Sequence, residues 1–316
     1  MQEKLNLFIE KIKAARSIVI MGHKNPDADS LGSMLALAKL IEMNYGTRCS
    51  CVYDGYIAEC LDGIPLRTWA KYFEKIDPDT HFDLAIVVDY GAAYQIGGPL
   101  AFAQGADFVI EIDHHKNDAP IGALCMDDDT ADATGVILYN IMQTAGWDYD
   151  WSVLDLIALA ILTDTGVFKF ARTGTPLMIM GDLVDKGVNI RRLIEMMDNK
   201  PRKAVQVEAK AVVNTEFLYR GRLALAIIDR HDYRNMDGRG ELVLGLLQQI
   251  KGVEYAVLLK QQKDDKIGIS IRSRGRAIDS IAASFGGGGH ARAAGAVMYD
   301  SLENVRAKVI EAFKGF

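Results

Sequence analysis

The chain has 316 residues, 49% of them apolar and 25% charged, with 7 prolines; at roughly 100–200 residues per domain this predicts two folded domains and excludes a disordered chain. A formal charge of −6 argues against broad attraction to a nucleic-acid backbone, so duplex DNA is not an expected ligand, while a local basic patch can still hold a short anion. The longest apolar runs, such as Leu84–Val88 and Leu156–Leu162, fall far short of the ~20 residues of a membrane span, and residues 1–16 mix charges with apolar positions at helical spacing, unlike a secretory leader.

Residues 17–21 (SIVIM), 84–89 (LAIVVD) and 108–113 (FVIEID) are short Val- and Ile-rich runs, the pattern of strands covered on both faces. Helical segments lie between or after them, over 30–44, 131–146 and 152–164. This alternation predicts a mostly parallel, doubly wound sheet, because parallel neighbours require crossover connections. Cys49, Cys51, Cys60 and Cys125 have neither CxxC spacing nor the density of a disulfide scaffold; they are expected to be reduced, and the expected location is the cytoplasm.

From about 174 to 212 the sequence is helical, and beyond it FLYRGRLALAIID predicts a hairpin turning near Arg220-Gly221, followed by a helix near 240–251. Strands EYAVLLKQQ and KIGISIRS flank Asp264-Asp265; then come a helix near 277–284, the run Gly286–Gly289, a strand near 295–299 and a final helix. The predicted organisation is a first α/β domain over 1–190, a helical linker over 191–213 and a smaller α/β domain over 214–316.

Chemistry-bearing residues collect where the first-domain strands end. In GHKNPDADS, His23, Asp27 and Asp29 follow the first strand, where open α/β sheets place their ligand sites, and Pro26 restricts the loop. The plain alternative makes Asp29 or Ser30 an N-cap and His23 a surface residue. Asp89 ends the second strand and Asp113-His114-His115 end the third, although Asp89 alone could cap a turn. Asp164 follows the apolar run IALAILT, where a buried carboxylate demands a cation or strong hydrogen bonds; the alternative is an exposed Asp in the TDTG turn. A donor set of Asp and His without thiolate favours manganese, magnesium or cobalt over structural zinc. Two such ions ~3.5–4 Å apart suit hydrolysis of a phosphate ester. Isolated His81 and His231, and the run Asp127–Asp129, are expected to be ordinary surface residues.

In order and spacing, HxxPDxD, the strand-end Asp, Asp-His-His and TDTG resemble the DHH phosphoesterase superfamily. ISIRSRG and GGGGHARAAGA resemble the nucleic-acid-binding signature of the DHH-associated domain in its nanoRNase, pAp-phosphatase and RecJ branch, so the resemblance covers nearly the whole chain. It implies that His23, Asp27 and Asp89 hold one ion and that Asp29, Asp89, His114 and Asp164 hold the other, with Asp89 shared. It also implies that His115 contacts the substrate phosphate or assists proton movement, so that His115 and Asp89 form the catalytic pair. Where many relatives have an acidic residue after the Thr-Gly that opens the helix near 134, this chain has Val136.

In the second domain, Gly287, Gly288 and Gly289 ahead of His290 offer a backbone that approaches an anion closely, with Arg272 and Ser273 as side-chain contacts; the alternative is a flexible turn. A site on one domain and a phosphate-binding surface on the other predict a short substrate touching both: single-stranded RNA of a few residues, pApA, or 3′-phosphoadenosine 5′-phosphate. A homodimer is compatible with the sequence. Competing readings are a RecJ-like single-strand exonuclease, which typically carries an added barrel, an inorganic pyrophosphatase or exopolyphosphatase, and a nucleotide-binding protein without turnover.

Overall fold

A computed structural model describes residues 2–117, 119–236 and 240–315. Its contacts divide the chain into two units, Met1–Asn199 and Lys200–Phe316.

In the first unit α1 (Gln2–Ala14) leads to β1 (Ile18–Met21), α2 (Ala28–Tyr45), β2 (Cys49–Tyr53), β3 (Ala70–Tyr72) and β4 (Leu84–Val88). Short helices α3 (Ala93–Ile96) and α4 (Leu100–Gln104) precede β5 (Phe108–Ile112) and β6 (Leu124–Cys125), and four helices complete the unit: α5 (Thr134–Ala145), α6 (Trp151–Asp164), α7 (Thr175–Asp185) and α8 (Ile190–Met197). The six strands form one sheet in the order β3-β2-β1-β4-β5-β6, every pair parallel. The chain therefore reverses its direction of winding between β1 and β4, the point where an open α/β sheet opens a crevice at its carboxyl edge.

Alternate residues of the strands feed two cores, as the period of two demands. Ile18, Ile20, Ile86 and Val88 join the larger core with α2 and α6, whereas Val19, Met21, Ala85 and Val87 face Ile96, Phe102 and Ala103 from α3 and α4. Both faces are covered, which is why β1 and β4 are continuous apolar runs. Strand β2 and the edge strands β3 and β6, by contrast, lack such runs and are not apparent in the sequence. Helices α2 and α6 are buried almost all round, and they approach closely at Gly32, where an added Cβ would stand 2.9 Å from the Leu156 carbonyl oxygen.

The second unit contains α9 (Arg202–Val213), the hairpin β7 (Glu216–Leu218) and β8 (Leu223–Ile228), α10 (Arg230–Tyr233), α11 (Glu241–Gln249), β9 (Tyr255–Lys263), β10 (Lys266–Ser273), α12 (Asp279–Ser284), β11 (Gly288–His290), β12 (Ala293–Tyr299) and α13 (Leu302–Ala312). Its sheet, in the order β11-β12-β10-β9-β8-β7, is antiparallel except for β8 with β9, which α10 and α11 connect. The hairpin turn holds Tyr219, Arg220 and Gly221 at φ 52°, 60° and 85°. The division at Asn199 falls inside the stretch expected to be a linker: Leu193 of α8 packs in the first unit's core, whereas Val207 and Ala211 of α9 pack on β8 and α11 of the second.

Replacing Gly32 by Ala must push α2 away from α6, so Gly32→Ala is expected to cost the first unit about 1–3 kcal/mol. Chemical denaturation followed by circular dichroism reads this as a lower midpoint, and an unchanged midpoint contradicts the close helix approach.

Candidate metal centre

The centre is built where β1, β4 and β5 end. After β1, Gly22 admits no side chain, because a Cβ there would lie 2.1 Å from Ser30 Oγ and 3.0 Å from the Val88 carbonyl oxygen. His23 N–H, directed at both the Asp89 carbonyl and Ser30 Oγ at 3.2 Å, ties the ends of β1 and β4 to the start of α2. His23 Nδ1 lies 2.9 Å from the Lys24 carbonyl. A carbonyl only accepts, so Nδ1 carries the proton and Nε2 is turned to Asp27 Oδ2 at 3.4 Å and Asp89 Oδ2 at 3.6 Å. A lone pair aimed at two carboxylates is repulsive unless a proton or a cation lies between them.

Helix α2 begins at Ala28, earlier than the sequence pattern predicts, and its N-cap is Asp27 and not Asp29 or Ser30. Asp27 Oδ1 accepts from the amides of Asp29 and Ser30 at 3.1 Å, which leaves Oδ2 to face His23. Asp29 is fully buried in the first turn of α2. Its Oδ1 accepts from Ser33 Oγ at 3.1 Å and Gly135 N at 3.0 Å, and its Oδ2 from Thr134 N at 2.8 Å. Burial, followed by the Asp89 and Asp164 carboxylates, pushes the Asp29 carboxyl well above its usual range.

Asp89 adopts φ 47°, a left-handed conformation that costs a non-glycine residue ~1–3 kcal/mol and marks functional sites. That conformation splits its two oxygens: Oδ2 faces His23, and Oδ1 lies 3.5 Å from His114 Nε2 and 3.6 Å from His115 Nδ1. His114 Nε2 is also 2.9 Å from Asp164 Oδ2 and 3.8 Å from Asp29 Oδ2. Burial works against the His114 charge, yet Asp164, Asp89 and Asp29 raise its pKa to about 12. None of these oxygens is in line for a hydrogen bond, so the buried Nε2 has no hydrogen-bond partner among the described residues. Asp164, at the C-terminus of α6, is likewise raised by burial and by Asp89 and Asp27, against the pull of the nearby His114 ring.

Donor atoms of His23, Asp27 and Asp89 all lie within 4.8 Å of one another, as do those of Asp29, His114 and Asp164. The structure thus brings together all six residues expected to ligate metal, in two groups that meet at Asp89. An orphaned imidazole nitrogen among three carboxylates and an Asp whose oxygens point to both groups fit divalent cations, and the imidazole and carboxylate donors suit the harder ones.

Behind this layer lies a support built on Asp113, Asp127 and Glu111. Asp113, fully buried, accepts from Tyr90 N and Gly91 N on Oδ2 at 3.1 and 2.8 Å, and from His115 N and Nδ1 on Oδ1 at 3.1 and 2.8 Å. Despite burial, the His115 ring pulls the Asp113 carboxyl below its usual range, while Asp113 raises His115 against the effect of burial. Asp127 is not the ordinary surface residue the sequence predicts: Oδ1 accepts from Asp113 N at 3.0 Å, and burial with the neighbouring Glu111 pushes its carboxyl up to about 7. Glu111 in turn receives the Tyr90 hydroxyl at 2.5 Å. His81 is exposed, 3.1 Å from Asp107, and His231 is exposed on α10.

In the second unit Arg272, on β10, donates from Nη2 to both Glu241 carboxylate oxygens at 2.9 Å. The buried Ser273 donates its hydroxyl proton to the Arg276 carbonyl at 2.6 Å, so it braces the end of the strand. The glycine run is not an open turn. Gly288 and Gly289 lie in β11, paired to β12, and a Cβ on Gly287 or Gly289 would stand 2.1 Å from the Gly295 carbonyl oxygen or 2.6 Å from that of Ala293. Gly288 has nothing within 4 Å of its Cβ position. Register places His290 and Arg272 opposite Ala293 from its two sides, and the His290 side chain lies outside the described residues.

The model of the DHH family N-terminal domain matches residues 17–161, and that of the DHHA1 domain matches residues 226–315. The chain belongs to the DHH family, as a DHH domain followed by a DHHA1 domain, and it is a hydrolase of phosphoester bonds. It is 28% identical, over 99% of its length and 94% of the relative's, to a Thermus thermophilus protein named bifunctional oligoribonuclease and PAP phosphatase NrnA. Among solved structures, an exopolyphosphatase-related protein from Bacteroides fragilis superposes with a TM-score of 0.90 at 20% identity, covering 99% of this chain and 96% of that one. Exonuclease RecJ bound to manganese superposes with a TM-score of 0.54 at 15% identity, covering 99% and 94%. Among the described residues no helix is long and apolar enough to cross a membrane.

An imidazole ligates metal only when it has lost its proton, so a metal ion held by the His114 ring would displace a proton on binding. Affinity for Mn2+ is therefore expected to rise from pH 6 to pH 8, with proton release measurable by calorimetry in two buffers of different ionisation enthalpy. Affinity independent of pH, with a binding enthalpy that is the same in both buffers, contradicts histidine ligation.

Proposed function

We propose that the protein hydrolyses short oligoribonucleotides, including pApA, and the 3′-phosphate of 3′-phosphoadenosine 5′-phosphate, with two manganese ions as cofactors. The observation that carries this reading is the convergence of His23, Asp27, Asp29, Asp89, His114 and Asp164 in two donor groups that meet at Asp89. The name of the Thermus thermophilus relative, alike over nearly the full chain, supports the substrate class, and manganese in the RecJ structure supports the metal.

In this reading His23, Asp27 and Asp89 hold one ion, and Asp29, Asp89, His114 and Asp164 the other. When bound, the two ions supply Lewis acidity and lower the pKa of a water for attack on phosphorus. The chain's own residues do the rest. Backbone amides and a hydroxyl of α2 and α5 grip Asp27 and Asp29 so that the two carboxylates need not reorganise. Asp113 holds His115 through Nδ1, so Nε2 is the ring atom that meets a phosphate oxygen or gives a proton to the leaving alkoxide. In the second unit Arg272 exchanges Glu241 for a terminal phosphate, and edge strand β11, with one row of peptide groups facing away from β12, offers amides to the same anion.

Two variants and a substrate panel test this. Asp89→Ala is expected to abolish turnover, since both donor groups lose a member, whereas Arg272→Ala is expected to raise KM for pApA with little change in kcat. Assays with manganese on pApA, longer RNA, 3′-phosphoadenosine 5′-phosphate, pyrophosphate and single-stranded DNA should favour the first and third. Preference for pyrophosphate sinks the assignment, and near-normal rates in Asp89→Ala sink the shared role of Asp89.

A further inference from the structure

Directly after Asp164 the chain makes a left-handed turn: Gly166, Val167 and Phe168 have φ 56°, 55° and 66° in succession. Left-handed backbone costs an L-residue roughly 1–2 kcal/mol, and a β-branched valine there is a genuine outlier. Strain of this kind persists only where the surroundings over-determine it. Here they do. Val167 N donates to the Leu162 carbonyl at 2.8 Å, Phe168 N to Thr165 Oγ1 at 3.0 Å and Phe170 N to the Thr165 carbonyl at 2.8 Å. Downstream, Arg172 N and Nε donate to Asp132 Oδ1 at 2.9 and 3.1 Å, and Thr173 Oγ1 to Asp132 Oδ2 at 3.1 Å.

Of the side chains on the left-handed residues, only that of Phe168 joins the core, and Val167 is 42% exposed. Phe170 is 56% exposed and its ring lies over Gly166, where a Cβ would come within 2.7 Å of the ring. Lys169 Nζ stands 5.2 Å from the centroid of the same ring and makes no ion pair among the described residues, although the turn leaves directly from a cluster of carboxylates. An exposed ring beside an unneutralised ammonium, a few residues beyond Asp164, is a chemical match for a nucleotide: the ring for the face of a base, the ammonium for a phosphate.

We propose that the 166–170 turn is a nucleotide-gripping element in which Phe170 stacks on a base of the substrate and Lys169 pairs with an adjoining phosphate. The proposal rests on the reading of the substrate as an oligoribonucleotide. Stacking of a base on an aromatic side chain is sequence-tolerant and strong enough to govern KM for a short substrate.

The test compares Phe170→Ala, Phe170→Trp and Lys169→Ala with the wild type, on pApA and on an abasic analogue that keeps the same phosphates. Phe170→Ala is expected to raise KM for pApA about tenfold or more, to leave the abasic analogue unchanged and to retain full manganese content, while Phe170→Trp restores KM. Lys169→Ala is expected to raise KM for both. Equal KM values across the variants, or equal losses on both substrates for Phe170→Ala, overturn the proposal. Binding of 2-aminopurine riboside 5′-monophosphate provides a readout that does not require turnover: quenching in the wild type and its loss in Phe170→Ala support the turn's role even if pApA is not hydrolysed. Absence of quenching in the wild type, or quenching retained in Phe170→Ala, overturns it.

Discussion

Everything at the carboxyl edge of the first sheet turns on the electrostatics of Asp89. It is buried at the end of a fully buried strand, and its left-handed backbone aims one oxygen at His23 and the other at His114. An anion in such a place is costly unless positive charge compensates it. Four carboxylates and two imidazoles converge within reach of each other, and in the proposed reading a pair of divalent ions that use Asp89 in common reconciles them. The parallel sheet, the switch of winding between β1 and β4, and the tight glycine at position 22 all serve to bring the ends of those two strands into register with the first turn of α2.

A second principle is preorganisation. Asp27, Asp29 and Asp113 each spend one or both oxygens on backbone amides, which fixes them before any ligand arrives. Asp113 and His115 form a hydrogen-bonded pair just after β5, and Asp127 braces Asp113 from the next segment. The layer behind the donors therefore decides where the imidazoles point, and His115 is held in one tautomer by a residue that only its position in the Asp-His-His run brings to notice.

Much of this was legible because the governing forces are local or periodic. Strands buried on both faces, β1, β4 and β5, appear as Val- and Ile-rich runs, and residues that follow them must lie at one sheet edge. Short edge strands such as Ala70–Tyr72 and Leu124–Cys125 carry no such signal, because pairing and not composition forms them. Helical periodicity over 190–213 is plain, but which unit each helix joins depends on tertiary partners: Leu193 finds the first core, Val207 and Ala211 the second. The glycine run exposes the same limit. Composition indicates backbone freedom, and only the pairing of β11 with β12 distinguishes Gly287 and Gly289, which have no room for a Cβ, from Gly288, which has. Asp127 and the left-handed turn after Asp164 depend on long-range contacts and backbone angles that no residue pattern encodes.

The most direct measurement of the shared-Asp89 account is anomalous diffraction at the manganese edge from crystals grown with Mn2+. The account predicts two peaks ~3.5–4 Å apart, one against His23 and Asp27, the other against Asp29, His114 and Asp164, with an Asp89 oxygen on each. A single peak, or two peaks without Asp89 between them, would contradict it.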